Sequence, residues 1–304
     1  MTLRVRSVVA LALLAAIAIC SPGAGVAQDK DKDKEQATKA KAAAVENLKK
    51  IKITKPTVIE TDNFIVAGSI PEAKAKALGA VLEKTLPVAR KAAKYDDKES
   101  PWKGKLTVYL LPDSEEFKPF LRRVLQAPVD GTYLDFRAEP PVVVDPGELP
   151  GKPTDADLYA NTAARIAGEL LRTRGTGTQV VPEWLRDGFG RVSVMRAEGT
   201  NSKRYAAYKV AAKNAVQGAK TGTPPAVADV WSGEKSAVTD VLANSFAEFL
   251  AFGPKAADFG KFLDGLRPTE TVATPTVQNG FQAIGWKDDA AVDAAWKKWV
   301  LTGK

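Results

Sequence analysis

Hydrophobic and polar positions form short extended runs in the first half of the chain. Residues 63–68 and 105–111 are mostly apolar runs that contain β-branched residues, which predicts two strands. Pro71 opens a segment in which apolar residues return every three or four positions, which predicts a helix. Shorter β segments are predicted at 132–136 and 141–145, where neighbouring prolines mark edges or turns.

After residue 152 the spacing becomes helical almost throughout. The six helices that this spacing predicts cover residues 154–174, 183–197, 202–218, 237–252, 255–265 and 288–300. We therefore predict an α+β fold with segregated elements. A small mixed sheet with helices occupies residues 51–152, and a mostly helical part occupies residues 153–304.

The N-terminus has the order of a Sec-type signal peptide. Arg4 and Arg6 precede an apolar run over residues 8–19, and a small-x-small triplet at residues 25–27 supplies a cleavage site. The apolar run is too short for a bilayer core, which takes roughly 20 apolar residues. We predict a signal peptide over residues 1–27, export to a bacterial periplasm or exterior, and no transmembrane segment after its removal.

The segment that follows is charged. Residues 28–50 contain lysine, aspartate, glutamate and alanine with almost no large apolar side chain, which predicts a flexible linker that need not pack, with helical potential from Ala37. Cys20 is the only cysteine and lies in the predicted signal peptide. The mature protein would therefore have no thiol for a disulfide, a thiolate metal site or cysteine catalysis.

The chain is basic, with a formal net charge of +8 and an isoelectric point near 9.3. Its lysines are scattered among acidic residues, and no basic stripe is interleaved with aromatic residues. We therefore predict a solvated charged surface and no binding of nucleic acid, while weak attachment to an acidic cell envelope stays open.

Two stretches of the second half resemble the helices that hold the metal in zinc peptidases. An HExxH helix places two histidines four residues apart around a glutamate that polarises the metal-bound water, and a later helix supplies a third ligand. Residues 166–172 read IAGELLR at the position of the first helix, and residues 182–189 read PEWLRDGF at that of the second. By these motifs and their order between residues 58 and 300, the chain resembles the peptidase MA family of gluzincin-type zinc metallopeptidases. This resemblance implies a zincin-like fold with a peptide-binding cleft.

The chain departs from that family at the metal ligands. Gly168 and Arg172 occupy the two histidine positions, Asp187 occupies the position of the third-ligand glutamate, and the chain contains no histidine. Only Glu169, at the general-base position, is retained. Glycine has no ligating atom and arginine is a permanent cation, so we predict a pseudo-metallopeptidase with no metal, no cofactor and no catalytic residue.

Arginine is predicted to take the place of the missing cation. Arg172 lies three residues after Glu169, and Arg165 lies four residues before it, so both are within reach on one helix. The hypothesis is that Arg172 ties Glu169 to Asp187, and the alternative is that these are ordinary charges on a half-exposed helix face. Arg165 and Trp184 are further candidates for the lining of the cleft.

Three functions remain open at this point. The first is an exported, non-catalytic protein that binds a peptide or an envelope protein through the degenerate cleft, with residues 132–145 as the strand edge. The second is a metal-independent hydrolase that reuses Glu169 and Asp187, and the third is a structural envelope protein. An open groove favours binding, a filled groove favours a structural role, and carboxylates without arginine partners in a deep pocket favour the hydrolase.

Overall fold

A computed structural model describes residues 24–129, 131–174, 180–218, 222–232 and 237–303. The predicted signal peptide lies outside these residues, apart from residues 24–27. The strands are β1 (Thr57–Glu60), β2 (Phe64–Gly68), β3 (Leu106–Leu110), β4 (Tyr133–Asp135) and β5 (Val142–Asp145). The α-helices are α1 (Ala24–Lys49), α2 (Glu72–Ala92), α3 (Ser114–Pro119), α4 (Asp155–Thr173), α5 (Glu183–Glu198), α6 (Lys203–Val216), α7 (Asp229–Ser232), α8 (Ala237–Phe252), α9 (Phe259–Gly265), α10 (Val277–Ala283) and α11 (Asp289–Thr302). A π-helical turn, Phe120–Leu125, continues α3, and a 3-10 turn, Ala256–Asp258, precedes α9.

The five strands form one mixed sheet in the order β1-β2-β3-β5-β4. The central strands β2, β3 and β5 are parallel, and the outer strands β1 and β4 pair antiparallel to their neighbours. Every residue of the three central strands is buried, because helices cover both faces of a parallel sheet. The strand β4 is an edge, paired through Leu134 with Val143 of β5.

The two faces of the sheet belong to two hydrophobic clusters, because successive side chains of a strand point to opposite faces. Val66, Val108 and Val143 join the main core with α2, α4 and α5. Ala67, Tyr109 and Val144 join a smaller core with the end of α1 and with α3. The helical half of the chain therefore packs on one face only, which confirms the predicted α+β class.

Helix α1 confirms the helical potential predicted from Ala37 but packs against the sheet, unlike the flexible linker predicted over residues 28–50. Ala44 and Leu48 are fully buried in the smaller core, and the side chain of Asn47 donates a hydrogen bond to the Tyr109 hydroxyl at 3.3 Å. A second anchor is the 3.0 Å ion pair between Lys41 and Glu60 of β1. One leucine and one alanine four residues apart, Leu48 and Ala44, suffice to dock this segment, and so short an apolar pattern does not stand out in a charged sequence.

The six predicted helices of the second half are present, and the structure adds α7 and α10. Helix α7 is a single turn, which is too short to show a periodic pattern. Helix α10 has only seven residues and contains Gly280, so its pattern is weak, although Thr276 and Asn279 form a capping box at its start. These two short helices were missed for that reason.

A buried carboxylate fixes α5 and α6 to α8. Glu248 is fully buried, and its Oε1 accepts hydrogen bonds from Arg196 at 2.7 Å and from the Tyr205 hydroxyl at 2.5 Å. Its Oε2 accepts from the Tyr208 hydroxyl at 2.9 Å and from Lys209 at 3.0 Å. Burial alone would raise the pKa of Glu248, but Lys209, Tyr205 and Arg196 together lower it below its usual value. Paired in this way, the carboxylate holds one end of α5 in a defined position.

Candidate functional site

Helix α4 carries most of the polar side chains of the site. It begins at a capping box in which the Thr154 hydroxyl accepts from the Asp157 backbone N–H at 3.2 Å and the Asp157 carboxylate accepts from the Thr154 backbone N–H at 3.0 Å. Side chains spaced by four, four and three residues then share one face of the helix. These are Asn161, Arg165, Glu169 and Arg172.

Glycines bring α4 and α5 unusually close together. A Cβ atom on Gly168 of α4 would lie 2.5 Å from the carbonyl oxygen of Arg186 in α5, and one on Gly190 of α5 would collide with the carbonyl oxygen of Ala164. On another side of α5, a Cβ on Gly188 would lie 2.7 Å from the carbonyl oxygen of Ala243 in α8. Gly168, the first histidine position of the predicted zinc motif, is therefore a backbone contact between two helices.

An open cleft lies between the edge strand β4 and the pair α4 and α5. Thr132 and Leu134 line it from the strand side, Arg165 and Glu169 line it from α4, and Asp187 lines it from α5. Its volume is about 390 Å³. We call it the Glu169 cleft.

Arginine side chains contact both carboxylates of the predicted motif, Glu169 and Asp187. Glu169 is only 3 % exposed, and its Oε1 accepts a hydrogen bond from Arg172 Nε at 2.6 Å and pairs with Nη2 of the same guanidinium. Hydrogen bonding to Glu169 raises the pKa of Arg172. Asp187 lies 3.5 Å from Nε of Arg186, which is a longer and weaker contact.

The structure brings most of the predicted site residues together. Glu169, Asp187 and Arg165 line one cleft, and Arg172 binds Glu169. The hypothesis that Arg172 ties Glu169 to Asp187 is correct only for Glu169, because the ion pair of Asp187 in the described structure is with Arg186 of its own helix.

Trp184, a predicted cleft residue, lies elsewhere. It lines a second cleft of about 290 Å³ between α5 and α8, where its ring centroid is 5.5 Å from that of Phe246. Its indole N–H and the side-chain oxygen of Asn244 are buried there without hydrogen-bond partners in the described part of the chain. This second cleft was not predicted from the sequence. The sequence signal for it is the spacing of Trp184 and Gly188, which lie four residues apart along one side of α5.

The described residues contain no group of three or more histidine, cysteine, aspartate or glutamate side chains that could hold a metal ion. Within the same residues, no helix is both long and apolar enough to cross a membrane. Comparison with models of known families, with curated proteins and with solved structures found no match to this chain. The resemblance to the peptidase MA family therefore stays a prediction from the motifs.

Proposed function

We propose that this chain is an exported, non-catalytic protein with a gluzincin-type, zincin-like fold, and that it binds an extended segment of a peptide or envelope protein in the Glu169 cleft. The observation that carries the proposal is the cleft itself, which is open and is bordered by the edge strand β4. An exposed strand edge can take up an extended peptide as an additional strand, and main-chain hydrogen bonds then supply affinity.

The side chains around Glu169 support a non-catalytic role. Gly168 offers neither a ligating atom nor room for a side chain beside Arg186. Glu169 is held by Arg172, and Asp187 lies against Arg186. A hydrolase that reused the two carboxylates would need them available to water and substrate, and these arginine contacts argue against that alternative.

The unfilled volume of the cleft also favours a binding role over a purely structural one. In a structural protein with a degenerate site, we would expect side chains from neighbouring elements to fill the space. Here the cleft keeps a volume of about 390 Å³ and has Leu134 and Ala164 in its wall beside its polar groups. The lining is mostly polar and charged, and an unfilled cleft of this kind suits a ligand that offers hydrogen-bonding groups, such as a peptide backbone.

Selection of peptides on the purified full chain tests this proposal. A library of random decapeptides is panned against the wild-type protein and against Asn161→Trp. In this variant an indole would fill the cleft at a position whose side chain has no hydrogen-bond partner in the part of the chain that the structure describes. The matched control is Val210→Trp, because Val210 is 60 % exposed on α6. We expect binders that Asn161→Trp loses and Val210→Trp retains.

Two results would overturn the proposal. One is a set of binders that both variants retain equally, or no binders at all. The other is cleavage of the library peptides that disappears in Glu169→Gln, since that would make the protein an enzyme.

A further inference from the structure

One cation in the lining of the Glu169 cleft lacks a counter-ion. Arg165 is exposed on α4, one turn before Glu169, and among the described residues it has neither an ion-pair nor a hydrogen-bond partner. By contrast, Arg186 lies near Asp187, and Arg191 pairs with Asp240 at 2.9 Å. Within the described structure, Arg165 is therefore the arginine of the cleft lining that has no carboxylate within ion-pair distance.

Two neutral side chains near Arg165 also have unused hydrogen-bonding groups. Asn161 lies one turn earlier on the same face of α4 and lines the cleft, and its side chain has no hydrogen-bond partner among the described residues. From the strand side, the hydroxyl of Thr132 is buried and has no partner within the described structure. Buried polar atoms normally have partners, so an orphaned hydroxyl in a cleft wall indicates a group that binds there.

The chemistry of these three side chains selects the ligand group. A guanidinium offers five N–H donors and no acceptor, and the amide and hydroxyl add further donors. Donors around a positive charge fit a carboxylate, which accepts two parallel N–H bonds from one arginine. We propose that this part of the cleft, which we call the Arg165 corner (Thr132, Asn161 and Arg165), binds a carboxylate of the extended peptide and so makes the protein selective for an acidic residue.

The remainder of the cleft limits how acidic that peptide is. Glu183 and Asp187 line the same cleft from α5, with Arg186 beside Asp187, so the cleft beyond the Arg165 corner has no excess of positive charge to hold a continuous acidic tract. Leu134 and Ala164 supply apolar surface for the remainder of the ligand. The ligand is therefore a peptide with a single acidic residue among neutral and apolar ones. This inference rests on the proposed function, because it names what the same cleft selects.

The test uses soluble decapeptides derived from the library binders, amidated at the C-terminus, with the acidic position changed between Glu, Gln and Lys. We expect fluorescence polarisation to show about a tenfold tighter Kd for Glu than for Gln, the size of one charge-assisted hydrogen bond. Arg165→Met should abolish this preference, and Arg165→Glu should reverse it towards Lys. Gln peptides with a free C-terminus show whether a terminal carboxylate serves equally well.

The matched control is Arg123→Met, because Arg123 is exposed and belongs to the π-helical turn on the opposite face of the sheet. Binders without a Glu preference, or with a preference that persists in Arg165→Met, would overturn this inference and leave the proposed function standing. A library without any binder would overturn both.

Discussion

Replacing Gly168 by alanine tests whether this position, the first histidine position of the predicted zinc motif, is a packing contact between α4 and α5. A glycine inside a helix normally costs about 1 kcal/mol relative to alanine, so Gly168→Ala should stabilise the protein if the site had room. The added Cβ would instead lie 2.5 Å from the carbonyl oxygen of Arg186, about 0.9 Å short of the 3.4 Å at which ordinary contact begins. The carbonyl oxygen is backbone and the Cβ is fixed to the backbone of α4, so neither can turn aside and α4 and α5 would have to separate.

Overpacking of this kind typically costs 1–3 kcal/mol, and the rigid backbone contact favours the upper end of that range. After the gain in helix propensity, we expect the free energy of unfolding to fall by about 2 kcal/mol. Urea unfolding followed by tryptophan fluorescence measures it, with an unchanged m-value as evidence that only stability changed.

The matched control is Gly260→Ala in α9. A Cβ there would meet only side-chain atoms, with the Arg174 guanidinium at 3.1 Å and Cγ of Lys94 at 3.4 Å, and these can shift aside. We expect this variant to be as stable as the wild type or slightly more stable. If Gly168→Ala proved equally stable, α4 and α5 would not be in the close contact described here.

The same contact predicts the outcome of introducing histidines at the two predicted motif positions. In Gly168→His combined with Arg172→His, the imidazole at 168 has no space between α4 and α5. We expect the double variant to be less stable than the wild type and to gain no thermal stability from added zinc. Tight stoichiometric binding of zinc, with a rise in Tm, would show that the helices separate readily and would refute the reasoning.

Three further predictions concern buried ionisable groups. Glu248→Gln should lower the free energy of unfolding by about 3 kcal/mol at neutral pH, because it breaks a buried ion-pair network. The pKa of Glu248 is lowered from 4.5. The stabilisation by the ionised carboxylate is therefore present above pH 4.5 and is lost as the pH falls through the folded-state pKa. Over that acid range the urea midpoint of Glu248→Gln should vary less than that of the wild type. Arg172→Met should cost about 1–2 kcal/mol by leaving the Glu169 carboxylate without its donor, and adding Glu169→Gln should recover most of this loss in a double-mutant cycle. Burial raises the pKa of Tyr95 from 10.0 to about 12. The stabilisation by the protonated Tyr95 hydroxyl should therefore be complete below pH 10 and disappear as the pH rises to about 12. An absorbance titration of the wild type against Tyr95→Phe measures the pKa of this hydroxyl.

The strand and helix pattern predicted most of the fold because it depends on local periodicity. The runs at 63–68 and 105–111 became β2 and β3, and the spacing of four and three residues correctly placed Arg165 and Arg172 near Glu169. Packing between elements was harder to predict. The docking of α1 depends on small residues such as Ala44, whose burial is determined by a sheet that lies elsewhere in the sequence.

The side of α5 that faces the cleft could not be read from apolar spacing alone. Trp184 and Gly188 lie four residues apart and contact the side of α8, whereas Arg186 and Gly190 lie four apart and contact α4. A large aromatic residue beside a motif suggests a cleft wall, but the glycines determine which neighbour can approach each side of the helix. In this chain Trp184 therefore lies on the side of α5 that faces α8, and not on the side that faces Glu169.

The residues at the positions of the predicted zinc motif therefore act together. Gly168 offers no ligating side chain and permits the close contact of α4 with Arg186, so a ligand introduced at this position would require undoing the contact. Arg172 balances the charge of Glu169 from the same helix and needs nothing from α5. The space that this arrangement leaves lies towards β4, where Arg165 has no counter-ion in the described structure. An arginine there is stable while hydrated, so its pairing energy remains available to a ligand that displaces the water. We therefore place the binding preference of the cleft at Arg165, not at Glu169.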